Sequence, residues 1–183
     1  MKKINNWDGL KNEEVSSLPS LPVGNYICQI KNVVDVPEKE YLKVQFDIVK
    51  GDFKDHFSKL SNNNLDNWVN QGTTYRSYKA SADQFFRNFI TAIEKTNKGY
   101  VWDWNEKSLI GKGFVAVFGE EEWQNDSGEI NISIKIREIR SLQALQEGKI
   151  DTPKLKKFKP KKENKPIQKN DYVYDITSDD LPF

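Results

Sequence analysis

The chain of 183 residues has one cysteine, Cys28, one histidine, His56, and one methionine. A single cysteine excludes an internal disulfide and any cysteine-built zinc site. A single histidine excludes His-rich metal sites and paired-His chemistry. Long apolar runs are missing too: the longest is Phe114 to Phe118, far short of the roughly 20 residues a membrane-spanning helix needs. Met1-Lys2-Lys3-Ile4-Asn5-Asn6-Trp7 has two lysines but no apolar stretch behind them, so no secretory signal is expected. There is no Gly-rich phosphate loop ending in Lys-Ser/Thr and no self-similar period. The expectation is a cytoplasmic protein that uses no metal or cofactor.

An excess of charge of either sign is lacking overall, with a net of +1, but the charges are unevenly placed. Residues 1–148 carry a net of −2. Residues 149–170 carry nine lysines against Asp151 and Glu163, and residues 171–183 carry Asp171, Asp175, Asp179 and Asp180 with no basic residue. Blocks of like charge mark interaction tails. Four parts follow: an N-terminal arm over 1–20, a folded domain over 21–148, a basic flexible linker over 149–170 and a disordered acidic tail over 171–183.

Within the domain, hydrophobic periodicity assigns the elements. Tyr26, Cys28 and Ile30 alternate with Ile27, Gln29 and Lys31 after Pro22-Val23-Gly24, which predicts a first strand. Pro37-Glu38-Lys39-Glu40 makes a turn. Leu42, Val44, Phe46 and Ile48 then alternate with Tyr41, Lys43, Gln45 and Asp47 in a second strand. Phe53 to Ser58 predicts a third strand, although Phe53, Phe57 and Leu60 also suit a helix. Residues 61–80 read as mostly loop. Ser81 and Gln84 have capping-box spacing, and Ala82, Phe85, Phe86, Phe89, Ile90 and Ile93 form the stripe of an amphipathic helix. Phe114, Ala116 and Phe118 predict a fourth strand. Ile130, Ile132, Ile134 and Ile136 predict a fifth, joined to the fourth by a turn at Asn125-Asp126-Ser127-Gly128.

Three strands, a helix and two strands is the element order of the OB-fold, a partly open five-stranded barrel that binds oligonucleotides or oligosaccharides. The fold expected is therefore mainly β: a five-stranded OB-fold barrel with one amphipathic helix between the third and fourth strands. The alternative is an α+β sandwich with the helix across one sheet face.

The chain ends in Ser178-Asp179-Asp180-Leu181-Pro182-Phe183 after a linker punctuated by Pro153, Pro160 and Pro166. Pro182 biases Leu181 toward an extended conformation. Phe183 offers an apolar ring beside a terminal carboxylate, which suits an apolar pocket with a basic rim. Asp179 and Asp180 add charge-assisted contacts to such a rim. Asp179-Asp180-Leu181-Pro182-Phe183 closely resembles the acidic tip of bacterial single-stranded-DNA-binding proteins. The domain resembles phage-encoded versions of them, most of all at Phe118-Gly119-Glu120-Glu121-Glu122-Trp123. The resemblance implies an OB-fold that binds single-stranded DNA in replication, recombination or repair. It also implies that Asp179, Asp180, Leu181, Pro182 and Phe183 recruit partner proteins, in the host cytoplasm if the chain is phage-encoded. The linker departs from the bacterial pattern in being lysine-rich, and the region from 51 to 111 is long and helix-containing. Any self-association is accordingly expected to be dimeric rather than tetrameric.

Non-specific single-strand binding needs cations for phosphates and ring faces for bases. Tyr75-Arg76-Ser77-Tyr78-Lys79 alternates the two, with Tyr75 and Tyr78 to stack and Arg76 and Lys79 to contact phosphate; otherwise the tyrosines simply cover the barrel end. Tyr41, Lys43 and Gln45 lie on the face where an OB-fold binds its ligand, with Lys54 nearby. Lys135 and Arg137 share the outer side of the fifth strand. Trp123 beside the hairpin tip is a clamp candidate, although Glu120, Glu121 and Glu122 would repel phosphate. The linker lysines, Lys154, Lys156, Lys157, Lys159, Lys161 and Lys162 among them, could hold DNA or the acidic tail. Cys28 reads as core, and His56 with Asp52 and Asp55 lacks the second acidic cluster that a metal nuclease requires. No enzymatic activity is expected. A single-strand annealing protein and a protein–protein adaptor on an OB-like scaffold remain as alternatives.

Overall fold

The computed structural model describes residues 20–160. The expected arm up to residue 19, the linker beyond residue 160 and the acidic tail with Asp179–Phe183 lie outside the described residues. The described part holds a five-stranded antiparallel sheet in the order β3-β2-β1-β4-β5.

Strand β1 (Gly24–Val36) pairs with β2 (Tyr41–Ile48) on one side and with β4 (Gly113–Gln124) on the other. It runs well past the alternation that announces it because of a bulge. The register steps from Ile30↔Phe46 to Asn32↔Gln45, so Lys31 is the extra residue. One unpaired residue inverts the side-chain phase, and the buried positions change accordingly from Cys28 and Ile30 to Val33. Pro37–Lys39 forms a 3-10 turn, and Glu40 closes it in the left-handed region at φ 55.

The strand predicted over Phe53 to Ser58 is not there. After β2 the chain turns into a short helix α1 (His56–Leu60). The cause is Asp47, whose buried carboxylate accepts from Phe57 N at 3.0 Å and Ser58 N at 2.9 Å, as well as from Ser58 Oγ. The opening N–H groups of a helix have no partner within it, and a carboxylate held beneath them favours the helical alternative. The third strand instead comes from the region read as loop: β3 (Thr73–Ser77) pairs with β2 through Lys43↔Tyr75 and Leu42↔Arg76. Just before it, Gly72 sits where a Cβ would come within 2.7 Å of both the Phe57 and Trp68 side chains, so only glycine allows the 61–72 segment to close on the core.

Helix α2 (Asp83–Thr96) follows a 3-10 turn over Ala80–Ala82. Its N-cap is Ala82, with no side-chain cap, so the expected capping box does not form. Phe89, Ile90, Ala92 and Ile93 are buried, whereas Phe85, in the first turn, is 70% exposed. The far end of α2 is locked to β4 by Asn97, which donates to Gly113 O at 2.8 Å and accepts from Gly113 N at 2.9 Å.

The core joins these elements. Phe46, Phe57, Phe114 and Phe118 are fully buried, and Phe46 meets Phe57 and Phe114 edge-on at 5.6 and 5.3 Å. Each such side chain contributes about 1.5–3 kcal/mol by leaving water. Strand β5 (Ile130–Arg140) pairs with β4, and beyond the core the two continue as a projecting arm. Ile134 and Ile136 pack on the core, while Ile130 and Ile132 stay exposed. A third short helix, α3 (Leu142–Gln146), is capped by Ser141 and tied to α2 by Leu142 N donating to Thr96 Oγ1 at 3.0 Å.

The barrel expected from the element order is not closed. Strands β3 and β5 are the two edges of the sheet and do not pair with each other. Gln71 Nε2, in the turn before β3, donates to Ile134 O of β5 at 3.0 Å, and α2 packs against β3, β4 and β5. No helix among the described residues is long and apolar enough to cross a membrane.

Candidate nucleic-acid interface

Side chains alternate along a strand, so β3 sends its two best candidates in opposite directions. Tyr75 stands on the outer face with Tyr41 and Lys43 of β2. Lys43 is its register partner, and the Tyr41 and Tyr75 rings meet edge-on at 5.4 Å. All three are half-buried. Gln45 lies farther along the same strand but is only 2% exposed. Its amide accepts from Asn32 Nδ2 at 2.8 Å and donates to Leu65 O at 2.7 Å, so the 61–69 loop covers it and its hydrogen bonds are spent internally.

Arg76 points the other way, toward α2, with its guanidinium carbon 5.5 Å from the Phe89 ring centroid. It lines a groove of about 630 Å³ between α2 and β5 with Lys95, Arg137, Arg140 and Phe85; Glu138 is the one carboxylate there. Arg137 donates to Glu120 O at 3.3 Å, and Arg140 is 3.7 Å from Glu138 and donates to Lys149 O at 3.0 Å. Arg76 forms no ion pair among the described residues, and its buried Nε has no hydrogen-bond partner. Burial pushes its pKa down to about 10, which leaves it charged at neutral pH.

Tyr78 leaves this cluster altogether. Its hydroxyl donates to Asp35 Oδ1 at 2.8 Å, and its ring lines a second pocket with Leu42, Phe86, Trp102 and Trp104. Burial, with the bond to Asp35 and that carboxylate's charge, pushes the Tyr78 pKa up to about 12. Trp104 is 82% exposed, yet Asp35 and Glu106 at the rim make this pocket unfavourable for phosphate. Lys79 leads into the 3-10 turn before α2, and Lys54 is exposed in the turn before α1.

On the β4–β5 arm, Trp123 and Lys135 share a face, since their register partners are Asn131 and Gly119 and the positions between them alternate. Trp123 is half-exposed. Two of the neighbouring glutamates, Glu121 and Glu122, are engaged by the start of the expected linker. Lys156 forms a parallel bridge to Glu121, its Nζ lies 3.2 Å from Glu121 Oε1, and Phe158 N donates to Glu122 Oε2 at 3.0 Å. Pro153 packs over Gly119, where a Cβ would come within 2.6 Å of the proline ring. The linker up to Phe158 therefore lies along the arm and neutralises part of its acidity.

Cys28 is fully buried, with its thiol pKa pushed up by burial. His56 is buried between the Phe53 and Phe57 rings, and burial lowers its pKa. Among the described residues, no group of three or more His, Cys, Asp or Glu side chains could hold a metal ion.

Of the eleven predicted contacts, the structure thus gathers Tyr41, Lys43 and Tyr75 on one face, Arg76 and Arg137 in a groove, and Trp123 and Lys135 on the arm. Phe85, Lys95 and Arg140 join the groove without a sequence signal: Phe85 belongs to the apolar stripe of the helix, and no local pattern relates Lys95 or Arg140 to Arg76. No protein-family model matches the chain, and no curated protein matches it either.

Proposed function

We propose that the chain binds single-stranded DNA without strong sequence preference, on an OB-like domain whose sheet stays open between β3 and β5. The observation that carries this reading is the outer face of β2 and β3, where Lys43 stands opposite Tyr75 and the Tyr41 ring meets Tyr75 edge-on. Rings beside a cation on a strand face supply the two things a sequence-tolerant strand site needs, a stacking surface and a phosphate contact. Trp123 and Lys135 on the arm repeat the combination. In this reading the acidic tip, Asp179 to Phe183, recruits proteins of DNA replication, recombination or repair.

Titration with oligo-dT, followed by quenching of the five tryptophans, tests the proposal. Four neutralised phosphates give a log–log salt slope near −3 (about −0.7 per phosphate on single strands). Tyr75→Ala should weaken binding by about 1–3 kcal/mol, the value of one base stack. No binding to oligo-dT at low salt refutes the reading.

A further inference from the structure

The groove between α2 and β5 holds an arrangement that the outer face does not explain. Four cations, Arg76, Lys95, Arg137 and Arg140, line it against Glu138 alone, and Phe85 presents an exposed ring at its edge. Arg76 has a buried Nε without a partner and no counter-ion among the described residues. Burying an unpaired guanidinium is costly, and its contact with the Phe89 ring recovers only part of that cost. Such a group is suited to a ligand that supplies the missing anion. A planar guanidinium matches the oxygens of a phosphodiester, and an exposed aromatic ring among cations matches a base.

The position of β3 links this groove to the outer face. Among the described residues it is an edge strand of the sheet. Tyr75 and Arg76 are consecutive on it and point to its two sides.

We infer that the groove is a second contact site for the same DNA strand, which turns around the β3 edge from Tyr75 to Arg76 and sets its phosphates on Arg76 and Lys95 and a base on Phe85. This rests on the single-strand reading above and extends it to a surface on the opposite side of the strand. The groove cations hold backbone without reading sequence, because phosphate contacts position a nucleic acid and do not specify it.

The test compares two lengths of oligo-dT on the full chain: about 6 and about 16 nucleotides, near the low and high ends of the site sizes of single-strand modules. Lys95→Gln and Phe85→Ala alter exposed side chains and leave the outer face intact; unchanged urea midpoints verify that both variants fold. Each should bind the long strand about tenfold more weakly, the loss of one stack or one phosphate contact, and the short strand as the wild type does. Lys95→Gln should also reduce the salt slope on the long strand by about 0.7. Wild-type affinity of both variants for the long strand overturns the inference, as does an equal loss on both lengths, which would make the groove no separate site. A wild-type chain that binds neither length defeats the single-strand reading itself, a result distinct from failure of the groove alone.

Discussion

The Arg76 guanidinium carbon lies 5.5 Å from the centroid of the Phe89 ring, joining edge strand β3 to helix α2 through a cation with no counter-ion among the described residues. The contact contributes about 0.5–2 kcal/mol and is opposed by the desolvation of an unpaired charge. Arg76→Met keeps much of the volume and removes both terms. Its urea midpoint should correspond to a stability within about 1 kcal/mol of wild type, while its affinity for a long oligo-dT falls. A loss of several kcal/mol would show Arg76 to be a structural residue first.

Asp47 should behave in the opposite way. Its carboxylate accepts from Ile48 N, Phe57 N, Ser58 N and Ser58 Oγ at a fully buried position. Asp47→Ala leaves these donors without their acceptor and should cost about 3 kcal/mol. Asp47→Asn, which keeps one oxygen, should cost about half as much by the same reasoning. Urea denaturation measures both, and equal losses would contradict the account of α1.

Gly119→Ala probes the docking of residues 149–158. The added methyl would come within 2.6 Å of the Pro153 ring and 3.0 Å of Arg137 Cγ. The proline ring cannot rotate away, so the segment is expected to lift from the β4–β5 arm. Amide exchange at Lys156 and Glu122, whose N–H groups donate to Glu120 O and Lys156 O, should accelerate while the amides of β1 and β2 stay protected. Unchanged protection at Lys156 would show that the segment accommodates the methyl in place.

Tyr78 gives a pH signature. Its folded pKa is raised from the ordinary 10 to about 12, by burial first and then by Asp35. The folded state therefore favours the neutral phenol. The stability this adds is complete below the unfolded pKa near 10 and is lost as pH rises through the folded value. Tyr78→Phe should abolish that component of alkaline destabilisation, and ultraviolet titration of the wild type should show one tyrosine ionising late. If the spectra of wild type and variant differ only by a tyrosine of ordinary pKa, the Asp35 contact is not maintained.

Much of the scaffold was legible in the residues because periodicity records which side of an element is buried. Cys28 and Ile30, Val44 and Phe46, Phe114 and Phe118, and Phe89 and Ile93 all lie in the core as their spacing predicts. Where alternation breaks down, the sequence misleads. Thr73-Thr74-Tyr75-Arg76-Ser77 carries no apolar alternation, yet it is β3, because pairing along β2 fills backbone hydrogen bonds whatever the side chains are. Phe53 to Leu60 fits both strand and helix, and a carboxylate from a neighbouring strand decided between them.

The sequence alone determined a mainly β domain with one long amphipathic helix, but not which segment forms the third strand, and it supplied the rings and cations from which a strand site can be built. Only the tertiary structure decided that Tyr75 and Arg76 serve opposite faces, that Gln45 lies beneath a loop, and that Arg76, Lys95, Arg137 and Arg140 meet in one groove. The physical reason is that periodicity is a property of a single element, set by neighbours a few positions away. Convergence depends on pairings such as Gln71 with Ile134, 63 positions apart, which no local pattern encodes.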